Sequence, residues 1–177
     1  SFRVLSTALE IHPEIRLTLV QLLSDAAGAF GGMVAGQTLD LYAVPTGTDQ
    51  GDENIIARLE EMKTGRLLRY ACEAGAVLGQ APLEQRQTLI SYSRKIGQTF
   101  QISDDILDLE GDQTLVGKTL NKDVTQNKFT IVSRFGVAEA KKLAGKLTDE
   151  AIEEIKIFGK KAEVLQELAR FIIERNH

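Results

Sequence analysis

Residues 83–109 read LEQRQTLISYSRKIGQTFQISDDILDL. Apolar residues recur through the stretch at spacings of three and four, and neither a proline nor a β-branched run interrupts them, which is the pattern of an amphipathic helix. At a rise of about 1.5 Å per residue such a helix is about 40 Å long, more than an ordinary globular helix. The pattern continues on both sides. Upstream, Glu53 to Leu78 carries Ile55, Ile56, Leu59, Met62, Leu67, Leu68 and Ala71 in helical register and stops at Gly79 to Pro82. Before it, Glu14 to Tyr42 reads as another long helix, with Ile15, Leu19, Leu22 and Leu23 on one face and a first segment ending at His12-Pro13. The residues between these two helices, VPTGTDQGD at 44–52, form a loop by composition. Downstream, Gly111 to Val124 is a polar connection, Lys128 to Phe135 a short helix, and Val137 to Phe158 and Lys161 to Arg175 two closing helices. The expectation is an all-α protein, residues 1–177 forming a single helical domain.

Composition narrows the function. Of the 177 residues 43% are hydrophobic and 26% charged, enough apolar material for one substantial core. The net charge of −4 offers no basic surface of the kind nucleic acid requires. The longest apolar stretch, AAGAFGGMVAG at 26–36, is too short and glycine-rich to span a membrane. The single cysteine, Cys72, fits a reducing compartment, so the expected location is cytoplasmic. The opening SFRVLSTALE has no initiator methionine and no basic-then-apolar order, so it reads as the middle of a helix and not as a signal peptide.

The chemistry is concentrated in ISDDILDLEGD at 102–112, which carries Asp104, Asp105, Asp108, Glu110 and Asp112 without a basic residue. Asp104 and Asp108 are four apart and share a helix face, with Asp105 beside them, close to the end of the helix where the dipole disfavours negative charge. A hard divalent cation would offset that repulsion, since Mg²⁺ takes oxygen ligands and joins one or two carboxylates to substrate phosphates. The rival reading is a solvated acidic face. A calcium loop fails on spacing: with Gly111 as its turn glycine, the first ligand position falls on Ile106. The nucleotide phosphate loop fails too, because five residues separate Gly111 from Gly117 where that motif has four. Lys63, Lys118 and Lys128 are candidate phosphate ligands, although each taken singly reads as a surface lysine. Gln37 and Asp40 lie three apart among apolar neighbours, as a buried hydrogen-bonded pair or as substrate contacts. Gly28, Gly32 and Gly36 recur every four residues, and close helix packing is the favoured explanation.

Gly36-Gln37-x-x-Asp40-Leu41, Lys63-Thr64-Gly65, Phe100-Gln101-x-x-Asp104-Asp105-x-x-Asp108, Gly117-Lys118 and Asp123 to Lys128 follow one another in an order that resembles the C-terminal half of a trans-isoprenyl diphosphate synthase, most like a bacterial farnesyl or geranylgeranyl diphosphate synthase. The resemblance implies the isoprenoid synthase fold, a bundle of long, mostly antiparallel helices around a central cavity. It also implies a prenyltransferase condensing an allylic diphosphate with isopentenyl diphosphate, Mg²⁺ as cofactor and a homodimer. Carried over residue by residue, Asp104, Asp105 and Asp108 would be metal ligands. Lys63, Lys118 and Lys128 would hold the allylic diphosphate, with Gln37 beside it. Thr64 and Gln101 would turn dipoles toward the developing cation, and Phe100 would line the site. The family's first aspartate-rich motif has no counterpart in these residues, since Asp49 to Glu53 lacks helical spacing. The expectation is therefore a chain that continues upstream and is inactive alone. A noncatalytic subunit and a class I terpene cyclase are the alternatives.

Overall fold

The computed structural model describes residues 1–42, 53–110 and 130–175. Among them every regular element is helical: α1 (Phe2–Thr7), α2 (Pro13–Ala27), α3 (Met33–Tyr42), α4 (Glu53–Glu60), a π turn (Glu61–Gly65), α5 (Arg66–Leu78), α6 (Leu83–Glu110), α7 (Ile131–Ile155), a 3₁₀ turn (Lys156–Ala162) and α8 (Glu163–Glu174). They divide into two compact units whose boundary on α6 falls between Arg94 and Lys95.

In the first unit, Pro13 opens α2 at a position where its missing N–H costs nothing, and Leu19, Leu23 and Ala26 form the buried stripe that meets α5. The long helix expected over Glu14 to Tyr42 is two helices. The chain leaves helical geometry between Gly28 and Gly32, with Gly31 at φ +87°, a conformation that L side chains resist. The four-residue glycine spacing thus has two causes. Gly28 and Gly32 serve this turn, whereas Gly36 serves packing: a Cβ there would stand 2.5 Å from the backbone nitrogen of Lys63. Only a glycine lets α3 lie so close to the π turn.

The helix expected over Glu53 to Leu78 is continuous in direction of chain but not in hydrogen bonding, because Glu61–Gly65 widens into the π turn that holds Lys63 and Thr64. Leu78 then gives way to a reversal in which Gln80 donates to Val77 and Ala81 to Ala76, a Schellman pattern. Its left-handed residue is Gln80, at φ +49°, and not the neighbouring Gly79. α6 starts at Leu83, as the Gly79 to Pro82 break indicates, and runs for 28 residues.

In the second unit, Thr130 caps α7 reciprocally with Ser133: the Thr130 hydroxyl accepts from the Ser133 N–H at 3.1 Å, and the Ser133 hydroxyl accepts from the Thr130 N–H at 2.8 Å. The expected division before Val137 is present at Gly136, whose φ of +80° and ψ of +161° interrupt the helix. Gly159, at φ +56°, makes the corresponding break before α8. Ile102 of α6 packs with Val132, Ala140 and Ala144 of α7, while Lys95 of α6 donates to Glu154 of α7 at 2.8 Å. The aspartates of α6 thereby sit on a helix anchored from both an apolar and a polar side.

Candidate active site

Two groups of the sequence-derived residues are each assembled by packing within one unit. In the first, the close approach of α3 to the π turn brings the Lys63 ammonium to Asp40, with 2.7 Å between Nζ and Oδ2. Their side chains are 34% and 15% exposed, so this is a half-buried ion pair that fixes the lysine's position while leaving part of it reachable. Gln37 and Thr64 are half-buried in the same α3 and π-turn region. The sequence pointed to Asp40 and to Lys63 separately; their pairing was missed, and the only signal for it was a carboxylate among apolar neighbours.

The second group lies along α6. Asp105 and Asp108 are 4% and 6% exposed, so the solvated acidic face is ruled out for these two. The Gln101 amide donates to Asp105 Oδ1 at 3.0 Å, one helical turn away, which orients that carboxylate. Asp104 is the more accessible aspartate, its side chain 38% exposed, and it accepts from the Arg175 guanidinium at 2.9 Å. The same guanidinium lies 4.2 Å from the centroid of the Phe100 ring. Arg175 carried no signal in the sequence, because it is 71 residues from Asp104 and belongs to no motif. Lys118 and Lys128 lie outside the described residues.

The donor set can be compared with Mg²⁺. Carboxylate oxygens are the ligands this ion prefers, and Asp104 and Asp108 present them one turn apart on α6. Among the described residues no three His, Cys, Asp or Glu side chains converge on one point. A site on α6 therefore supplies one or two carboxylates, the number with which Mg²⁺ is commonly held when a substrate phosphate completes its shell. The residues fit the ion. In addition, no described helix is long and apolar enough to cross a membrane.

Among the described residues the architecture is all-helical, with lysine and threonine in a π turn and buried aspartates on a long helix. The sequence matches the polyprenyl synthetase family over residues 1–170, and the chain belongs to that family. It is 37% identical over 185 aligned residues to the farnesyl diphosphate synthase of Bacillus subtilis, covering 100% of this chain and 59% of that protein. Among solved structures, an FPP/GFPP synthase from Zymomonas mobilis matches with a TM-score of 0.81 and 39% identity, over 97% of this chain and 56% of that one. The geranyltransferase of Helicobacter pylori complexed with magnesium and isoprenyl diphosphate matches with a TM-score of 0.77 and 28% identity, over 98% and 55% of the two chains. The chain thus spans a little over half the length of these relatives. Its all-α fold is that of the isoprenyl diphosphate synthases.

Proposed function

We propose that the protein containing this chain condenses an allylic diphosphate with isopentenyl diphosphate to give a longer linear prenyl diphosphate, and that it requires Mg²⁺. The observation that carries the reading is the set Asp104, Asp105 and Asp108: two carboxylates are buried, at 4% and 6% exposure, beside a third that is accessible, on one long helix. Burying a carboxylate costs on the order of several kcal/mol in desolvation, and a binding role gives a reason for keeping two such groups on α6.

In this reading Asp104 would be the principal metal ligand, with Asp105 and Asp108 helping to hold the ion. When bound, Mg²⁺ neutralises charge on the departing diphosphate. Lys63, held by Asp40 at 2.7 Å, presents its remaining N–H donors to diphosphate oxygens, with Lys118 and Lys128 sharing that task and Gln37 beside them. The Thr64 and Gln101 side chains turn oxygen dipoles toward the developing allylic cation, which dipoles stabilise without capturing it. Phe100 shields that cation from water and contacts the incoming isopentenyl group. Cys72 as the lone cysteine supports a cytoplasmic setting, and a homodimer belongs to the same reading.

The test is an assay of the full-length protein with labelled isopentenyl diphosphate and an allylic primer. A linear prenyl diphosphate should form with Mg²⁺, and Asp104→Ala should lower turnover by about 10²-fold or more, the scale of losing one charge-stabilising group. Near-normal turnover in that variant would remove the metal role. Cyclic hydrocarbon formed without isopentenyl diphosphate would assign the protein to terpene cyclisation instead.

A further inference from the structure

One guanidinium touches two residues of the candidate site from the far end of the second unit. Arg175 follows α8, and its Nη2 lies 2.9 Å from Asp104 Oδ1 and 3.4 Å from the Phe100 carbonyl oxygen. Its charged group also sits over the Phe100 ring, 4.2 Å from the centroid, within the range of a cation–π contact. The Arg175 side chain is only 12% exposed, whereas that of Asp104 is 38% exposed. A cation is therefore tucked inward against a carboxylate that remains accessible from outside.

The placement answers a physical need. Asp104 stands late in α6, with Asp105 and Asp108 close by and the negative end of the helix dipole beside it. Negative charge accumulated there needs a positive partner whenever no metal is bound. Arginine suits the part, since its guanidinium stays protonated at every relevant pH and stacks on an aromatic face while it pairs with a carboxylate.

We propose that Arg175 is a counter-charge of Asp104 in the metal-free protein, and that a divalent cation binding at Asp104 does so against this arginine. The inference rests on the metal role given to Asp104 above. Arg175 is a positioning residue: it holds Asp104 and Phe100 in register until the charge it supplies is replaced. Two cations sharing one carboxylate at a partly hydrated site repel each other, so removing the arginine charge strengthens metal binding by about three- to tenfold.

The experiment titrates Mn²⁺, without substrate, into the full-length protein by calorimetry or electron paramagnetic resonance. Arg175→Gln should bind Mn²⁺ about three- to tenfold more tightly than the parent, and Arg175→Lys, which keeps the charge, should stay within about twofold. In an Asp104→Asn background the Arg175→Gln effect should vanish. Hydrogen exchange of the unmodified protein gives a second readout that needs no variant to fold: saturating Mn²⁺ should speed exchange of the amides around Phe171 to Arg175. Equal or weaker Mn²⁺ binding in Arg175→Gln, or unchanged exchange at that end of α8, overturns the inference alone. Absence of Asp104-dependent Mn²⁺ binding in the parent overturns both the inference and the metal role on which it rests.

Discussion

Buried polar side chains of the first unit make separate, measurable contributions. Glu73 is 6% exposed, and Arg86 donates to its Oε1 from Nη2 at 2.6 Å and from Nε at 3.0 Å, while Arg69 approaches Oε2 at 3.5 Å. Truncating it leaves two half-buried guanidinium groups without their common acceptor. Glu73→Ala should therefore lose about 2–4 kcal/mol of unfolding free energy in urea, a figure between a lost charged hydrogen bond and a broken buried pair. Cys72 and Tyr92 behave differently. Burial pushes the Cys72 thiol above its ordinary value of 9.0, and burial followed by the nearby Cys72 pushes the Tyr92 phenol well above 10.0. Both groups hold their protons more tightly folded than unfolded, so their contribution is complete below about pH 9 and is lost as pH rises through the elevated values. The melting temperature should be level from neutral pH to about 8.5 and fall above about 9, where the unfolded thiol ionises first. Iodoacetamide at pH 8 should modify Cys72 several-fold more slowly in the native protein than in urea. A composition count reveals the lone cysteine but nothing of its partial burial, nor of its influence on Tyr92, twenty residues later on another helix.

Helix ends and interruptions follow from backbone chemistry, and some of them are imperfect. Gln80 holds the left-handed position of the reversal after α5, where a Cβ costs about 1 kcal/mol. Gln80→Gly should accordingly raise stability by about 0.5–1 kcal/mol, read from the denaturation midpoint. Gly145 presents the opposite case in α7. It is helical, and a Cβ there would meet nothing within 4 Å, so Gly145→Ala should gain about 0.5–1 kcal/mol. Gly36→Ala should cost more than either gains, because the added methyl meets the Lys63 backbone at 2.5 Å and forces α3 from the π turn. These positions show the reach of sequence patterns. The stops at Gly79 to Pro82 and at Gly136 were legible because glycine and proline act on their own dihedrals. The break at Gly28 to Gly32 was not, since apolar periodicity runs on through it. The π turn, which lies against α3 at Met62 and Lys63, left no mark either.

Metal dependence extends these arguments to the complete protein. Chelation with EDTA should abolish prenyl transfer and added Mg²⁺ should restore it, measured on the full-length protein, if Asp104, Asp105 and Asp108 hold the ion as proposed. Light scattering on the same preparation checks the proposed homodimer. Reading residues in order was sufficient for the all-α class, for the presence of α6 and for the identity of its aspartates, since helix formation depends on spacings within one or two turns. It was also sufficient for family membership, because Lys63-Thr64 and the aspartate series keep their order along the chain. It could not reach the partners of those residues. Lys63 meets Asp40 across 23 positions, and Arg175 meets Asp104 across 71. It could not tell buried carboxylates from solvated ones either, as Asp105 and Asp108 lose their water only when α6 is covered by its neighbours. Such contacts depend on which helix faces pack together, and periodicity specifies that a face is apolar without specifying what will lie against it.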